Sequence, residues 1–145
     1  MQIDRVLGID YGTVRVGLSL SDPLGITAQP FQTLPNGRSL WEHLRSVIVD
    51  QHVSLIVVGM PLNLKGQQGE MAREVGKFIE RLKKVMNVEV VTWDERFTSS
   101  IAQQTLLDMG TRKSQRRKNK GQVDAMAAAV MLQSFLDSTK RSMSC

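Results

Sequence analysis

The apolar positions of this chain first follow the pattern of β-strands. Residues 6–11 form a short, largely apolar run and residues 16–21 alternate between apolar and polar, which predicts two strands. The segment 12–14 between them is too short for anything but an antiparallel hairpin. Residues 29–34 predict a third strand, and Pro30 near its start places that strand at an edge of the sheet.

After residue 38 the pattern alternates between helices and strands. Ser39 and Glu42 have the spacing of a capping box, and an apolar stripe with helical spacing follows them. Residues 55–58 are apolar at every position, as in a strand that is covered on both faces. The remaining pattern predicts a helix over 71–82, a strand over 88–92, a helix from about residue 99 to Gly110 and a last helix over 123–136.

These elements predict an α/β fold. Its centre is a mixed five-stranded sheet, in which three antiparallel strands are followed by βαβ units, and helices lie on both faces. A length of 145 residues fits one domain. We assign this domain to residues 1–138 and a short C-terminal tail to residues 139–145.

Composition excludes several classes of protein. With 41% hydrophobic residues the chain can form a core, which excludes global disorder. The apolar runs are too short for a transmembrane helix and the first residues lack the pattern of a signal peptide, so we expect no membrane partner. Cys145 is the only cysteine, so no intrachain disulfide can form, and we expect a cytoplasmic location.

The positive charge of the chain is concentrated in one segment. The formal net charge is +5, but residues 111–120 contain six basic residues and no acid. The rest of the chain carries 13 basic and 14 acidic residues and is close to neutral. The charge distribution therefore indicates one local anion-binding segment, and not a protein surface that is basic throughout.

Two acidic residues lie where a purely structural acid is costly. Asp10 falls within an apolar strand near the predicted centre of the sheet, between Gly8 and Gly12, which allow another group to approach the backbone. Asp124 lies in the first turn of the last helix, on the same apolar stripe as Ala128. The alternatives are a hydrogen bond to the hairpin turn for Asp10 and a plain N-terminal capping role for Asp124.

The third acidic candidate is either Asp94 or Glu95. Both follow the strand over 88–92, and ligands collect at the carboxyl ends of strands in open α/β sheets. Successive side chains of a strand point to opposite faces, so only one of the two acids faces the site, and alternation does not say which. The alternative is a charged turn that leaves Glu95 and Arg96 in solvent.

Convergent carboxylates without a cluster of His or Cys favour Mg²⁺ or Mn²⁺ over zinc. Like charges repel, so such a site needs a cation or a raised carboxyl pKa. A pair of metal ions there would activate water and stabilise the leaving oxygen in phosphodiester cleavage. The basic segment 111–120 directly precedes Asp124, so we interpret it as a phosphate-binding segment, with a solvated loop as the alternative.

Four motifs together resemble those of the YqgF family. They are GIDYGT at 8–13, VGMP at 58–61, DERFTS at 94–99 and NKGQVDAMAA at 119–128, and they follow one another over nearly the whole chain. Members of this family are described as pre-16S rRNA nucleases and as Holliday junction resolvases. The resemblance implies a ribonuclease H-like fold, similar to that of the RuvC resolvases.

The resemblance also implies which acids form the site. It implies a catalytic and metal-binding set of Asp10, Glu95 and Asp124, and it thereby selects Glu95 over Asp94. RuvC-type sites commonly carry a further acid three residues after the last of these, where this chain has Ala127. A second metal ion would therefore have fewer protein ligands here.

We therefore expect an endonuclease that depends on Mg²⁺ or Mn²⁺ and hydrolyses phosphodiesters in nucleic acid. The resemblance implies 5′ maturation of pre-16S rRNA during ribosome biogenesis, with structured RNA as the preferred substrate and four-way DNA junctions as the alternative. The candidate contacts to nucleic acid are all basic: Arg15, Lys65, Arg96, Arg112, Lys113, Arg116, Arg117, Lys118 and Lys120.

Two further functions stay open at this point. A non-catalytic module that binds RNA or a transcription complex would keep the fold without cleaving. Residues 8–13 also resemble the first phosphate loop of the actin and sugar-kinase group, but those proteins close a nucleotide between two domains and this length supplies one. The sequence pattern does not distinguish a monomer from a homodimer. Symmetric cutting of a four-way junction needs two active sites related by a two-fold axis.

Overall fold

The computed structural model describes residues 4–62, 68–98 and 120–143. Five strands and three α-helices lie in these ranges. In chain order they are β1 Arg5–Tyr11, β2 Arg15–Ser21, β3 Ala28–Pro35, α1 Leu40–Asp50, β4 Val53–Met60, α2 Glu70–Val85, β5 Glu89–Asp94 and α3 Lys120–Met143. A short 3₁₀ turn over Glu95–Phe97 follows β5.

The strands form one mixed sheet in the order β3-β2-β1-β4-β5. β1 pairs antiparallel with β2 and parallel with β4, while β3 extends the antiparallel half and β5 the parallel half. The predicted mixed five-stranded sheet is therefore confirmed. Pro30 lies in an edge strand, as predicted, and Asp10 lies in the central strand.

Helices cover both faces of this sheet, as the pattern predicted. On one face α1 and α2 enclose the main core, in which Leu7 and Ile9 of β1 are fully buried. On the other face α3 packs Met131 and Leu132 against Val57 of β4. Because successive side chains of a strand point to opposite faces, the even-numbered residues of β1 face α3.

α3 approaches the sheet closely because glycines lie beneath it. A Cβ atom at Gly17 of β2 would overlap the backbone carbonyl of Asp124, and one at Gly8 of β1 would lie 2.9 Å from the Cβ of Leu132. Ser19 of β2 donates a hydrogen bond from Oγ to the carbonyl oxygen of Ala128 at 2.9 Å. The start of α3 is thus held against the strand that pairs with β1.

The capping box predicted at the start of α1 is wrong. Ser39 has a helical backbone, with φ −84° and ψ −3°, and its side chain makes no capping hydrogen bond. A capping side chain reaches the first N–H groups of a helix from an extended backbone, which Ser39 does not have. The Leu40 N–H instead donates to the carbonyl oxygen of Gly37 at 3.2 Å.

α3 is longer than predicted at both ends. It runs from Lys120 to Met143, past the predicted end at Leu136 and into the residues assigned to a tail. The sequence has no glycine or proline after Leu136 that would end a helix. The helix predicted from about residue 99 to Gly110 lies outside the described residues. Among the helices that are described, none is long and apolar enough to cross a membrane.

Replacing Gly17 by alanine tests the contact between α3 and the sheet. The new methyl group would overlap backbone atoms of Asp124, which cannot turn away as a side chain can. We expect Gly17→Ala to lower the free energy of unfolding by about 1–3 kcal/mol or more, measured by urea denaturation.

Gly76→Ala is the matched control for this substitution. Gly76 lies within α2, and nothing lies within 4 Å of the Cβ position there. This change should stabilise the protein by about 0.5–1 kcal/mol, because alanine favours a helix more than glycine does. A Gly17→Ala protein as stable as the wild type would contradict the close packing.

Candidate active site

Asp10 lies near the carboxyl end of β1, on the face of the sheet that α3 covers. It pairs across the hairpin with Gly17, the residue against which the backbone of Asp124 packs. Ile9 on its N-terminal side pairs with Val58 of β4. Asp10 is therefore flanked by the start of α3 on one side and the end of β4 on the other.

Glu95 reaches this position from the end of β5. β5 runs parallel to β4, with Met60 opposite Asp94, so both strands end at the same edge of the sheet. A Cβ atom at Gly59 of β4 would lie 2.6 Å from Oε1 of Glu95. The absence of a side chain at Gly59 thus leaves the space that the Glu95 carboxylate occupies, directly beside β1.

The side chain of Asp94 contacts Arg96. Its carboxylate accepts a hydrogen bond from the Arg96 backbone N–H at 3.0 Å and forms an ion pair with the Arg96 guanidinium. The hydrogen bond to the Arg96 side chain lowers the pKa of Asp94 below its usual range. Asp94 therefore caps the turn that holds Glu95, so the two neighbouring acids have distinct surroundings, which the sequence pattern alone could not assign.

Asp124 approaches from the first turns of α3. Its Oδ2 lies 2.6 Å from Nε of Arg15, at the start of β2, in a half-buried ion pair. The contact joins residues 109 positions apart in sequence. Arg15 thus holds the Asp124 carboxylate at this edge of the sheet and offsets its charge.

The three carboxylates interact electrostatically at this edge. Burial, and to a smaller extent the charges of Glu95 and Asp124, together raise the pKa of Asp10 from the usual 3.8 to about 7. Burial also raises the pKa of Glu95, with a smaller effect from Asp94. Asp10 is therefore the acid whose negative charge this site disfavours most, and a bound cation would relieve that repulsion.

The described residues do not form a complete set of metal ligands. Within them, no three His, Cys, Asp or Glu side chains are grouped closely enough to hold a metal ion as they stand. The Asp124 carboxylate is instead paired with the Arg15 guanidinium. The donor set that surrounds Asp10 consists of carboxylate oxygens, which suits a hard divalent cation.

Three of the basic residues expected to contact nucleic acid lie in the part of the chain that the structure describes. Arg15 and Arg96 lie at this edge of the sheet, each paired with an acid, Asp124 and Asp94 respectively. Lys120 is the first residue of α3. The others lie outside the described residues: Lys65, Arg112, Lys113, Arg116, Arg117 and Lys118.

Sequence reasoning missed the residues that position the acids. Gly17 and Gly59 each provide the space that a neighbouring group fills, and a glycine inside a strand pattern is the signal that could have revealed this. The pairing of Arg15 with Asp124 had no signal in the sequence, since it depends on how α3 is placed across the sheet.

The mixed five-stranded sheet with helices on both faces is a ribonuclease H-like fold. The fold is similar to that of a Fowlpox virus resolvase in complex with Holliday junction DNA, at a TM-score of 0.56 and 12% identity over 93% of this chain and 98% of that one. It is also similar to T. thermophilus RuvC in complex with a Holliday junction substrate. The TM-score is 0.55 and the sequence identity 15%, over 94% of this chain and 95% of that one. The ribonuclease H-like fold expected from the motifs is confirmed.

The sequence identifies the family within this fold. Residues 4–138 match the family described as "RuvX: Holliday junction resolvase", and the chain belongs to that family. A relative from Sulfurihydrogenibium sp. is 39% identical over 137 residues, which are 93% of this chain and 91% of that protein. Another relative, from Endomicrobium trichonymphae, is 41% identical over 93% of this chain and 96% of that protein. Both are named "Putative pre-16S rRNA nuclease", so the resemblance stated from the motifs is confirmed.

The raised pKa of Asp10 predicts how stability depends on pH. Between about pH 4 and pH 7 the folded protein keeps the Asp10 proton that the unfolded chain has lost, so the contribution of Asp10 is most favourable below pH 4 and falls as pH rises through 7. Asp10→Asn has no such charge to bury. In the presence of a chelator, it should therefore gain stability relative to the wild type by roughly 2–4 kcal/mol between pH 4 and pH 8.

Urea denaturation of both proteins at the two pH values measures this difference. The comparison at pH 4 serves as the internal control, because Asp10 in the folded wild-type protein is then as neutral as the asparagine that replaces it. A difference in stability between the two proteins that is the same at both pH values would show that Asp10 does not carry a buried charge.

Proposed function

We propose that this chain is a metal-dependent endonuclease that hydrolyses phosphodiester bonds, with Asp10, Glu95 and Asp124 as its catalytic and metal-binding residues. The observation that carries the proposal is the position of Asp10, whose pKa is raised to about 7 by burial and by the charges of the other two acids. Perturbed carboxyls at the ligand-binding edge of an α/β sheet are typical of active sites.

The residues at this edge fit Mg²⁺ or Mn²⁺. Asp10, Glu95 and Asp124 would hold the ion, since Asp10 interacts electrostatically with both of the other acids. A divalent cation there supplies water activation and stabilisation of the leaving oxygen. Arg15 can leave Asp124 without losing a partner if a phosphate oxygen takes the place of the carboxylate, because guanidinium binds both groups in the same way.

Pre-16S rRNA is the substrate that we propose, and the cytoplasm is the proposed place of action. The names of the relatives support this choice, at about 40% identity over most of the chain. The family description and the two junction-bound structures favour a second candidate, a four-way DNA junction. Basic residues bind the backbone of either nucleic acid, so Arg15, Lys65, Arg96 and the segment 111–120 do not separate the two.

A cleavage panel tests both the activity and the substrate. Purified protein with Mg²⁺ or Mn²⁺ is offered a precursor rRNA fragment, a single-stranded RNA and a four-way DNA junction. We expect cleavage of the precursor rRNA, and we expect Asp10→Asn to bind this RNA without cutting it. Equal cleavage by Asp10→Asn would contradict the assignment of the site, whereas cutting of the junction alone would select the second candidate.

The neighbouring acids at the end of β5 provide a matched pair for the same assay. Glu95→Gln should lower kcat by roughly 100-fold or more, which corresponds to about 2.7 kcal/mol of lost transition-state stabilisation. Asp94→Asn should retain activity within about tenfold, because asparagine also caps the turn that holds Glu95. The reverse order of effects would assign the site to Asp94.

A further inference from the structure

A cavity of about 210 Å³ opens on the opposite face of the sheet from Asp10. It lies at the carboxyl end of β1, between the start of α1 and the middle of α2. Aromatic and basic side chains line it: Tyr11, Trp41, Phe78, Lys77 and Arg81. Neither the metal site nor the phosphate contacts proposed above use these residues.

The aromatic side chains form one continuous surface. The ring of Phe78 lies 4.5 Å from that of Tyr11 and 5.4 Å from that of Trp41, in tilted arrangements. Tyr11 and Trp41 are only partly buried, so this surface extends from the core into the cavity. Exposed faces of aromatic side chains stack on nucleobases, whatever the sequence of the nucleic acid.

Cations border the aromatic surface. The Arg81 guanidinium lies 4.3 Å from the centre of the Trp41 ring, and Lys77 lies 3.5 Å from Glu74 in an exposed pair. Lys77 and Arg81 together with Glu74 leave a net positive charge at the opening of the cavity. A ligand with a flat apolar part and an anionic part, as in a nucleotide, matches this combination.

The position of the cavity relates it to the proposed site of cleavage. Tyr11 directly follows Asp10 in β1, so the two side chains point to opposite faces at the same end of the strand. Asn36, which also lines the cavity, donates a hydrogen bond from Nδ2 to the carbonyl oxygen of Gly12 at 2.8 Å. One wall of the cavity is therefore attached to the turn that follows Asp10.

We propose that this cavity binds one unpaired nucleotide of the substrate, next to the phosphodiester that Asp10 addresses. Its base packs against Tyr11 and Trp41, beside the Arg81 guanidinium that covers one face of the Trp41 ring, and its phosphate lies at Lys77 and Arg81. The proposal rests on the function proposed above, since it assigns the flanking nucleotide of the same substrate. It predicts that a base, and not only a charged backbone, contributes to binding.

Tryptophan fluorescence tests this directly, with mononucleotides as probes. The chain has two tryptophans, so Trp93→Phe leaves Trp41 as the sole reporter. We expect adenosine monophosphate to quench Trp41 in a saturable manner, and ribose 5-phosphate at the same concentration not to do so. Arg81→Ala should weaken adenosine monophosphate binding by roughly tenfold.

Lys83→Ala is the matched control. Lys83 is exposed on α2 two residues after Arg81 and does not line the cavity, so its loss removes the same charge from another side of the helix. No quenching by millimolar adenosine monophosphate, or equal effects of Arg81→Ala and Lys83→Ala, would overturn the proposal. Because the assay needs no cleavage, a failure here is distinct from a failure of the nuclease activity.

Discussion

The candidate site depends on the close contact between α3 and the antiparallel half of the sheet. Asp10 and Asp124 are 114 positions apart and belong to elements with no direct connection, so only packing brings them together. Gly17 permits the contact because a side chain there would overlap the Asp124 backbone, and Ser19 fixes it through its hydrogen bond to Ala128. The small residues of this interface thus place a carboxylate beside the central strand.

The cost of this arrangement is electrostatic. Burial and two neighbouring carboxylates raise the pKa of Asp10, so the fold holds an acid in surroundings that disfavour its charge. The ion pair of Arg15 with Asp124 offsets part of the repulsion. Functional sites often keep such unfavourable groups, because a site that is satisfied without its ligand gains little from binding it.

Much of the fold could be predicted from the sequence, because alternation and apolar runs report local burial. The run at 55–58 marked a covered strand, which is β4, and Pro30 marked the edge strand β3. The site could be predicted only in part. Alternation could not separate Asp94 from Glu95, because the chain turns at the end of β5 and the choice depends on the space at Gly59. The Ser39 cap failed because a local motif does not fix the backbone angles that capping needs.

Calorimetric titration with Mn²⁺ shows whether Asp10, Glu95 and Asp124 act together as one cation site, as we propose. We expect the wild-type protein to bind Mn²⁺, and we expect the change of any one of the three acids to its amide to weaken binding by roughly tenfold or more. Unchanged Mn²⁺ affinity in a protein with all three acids replaced would contradict it.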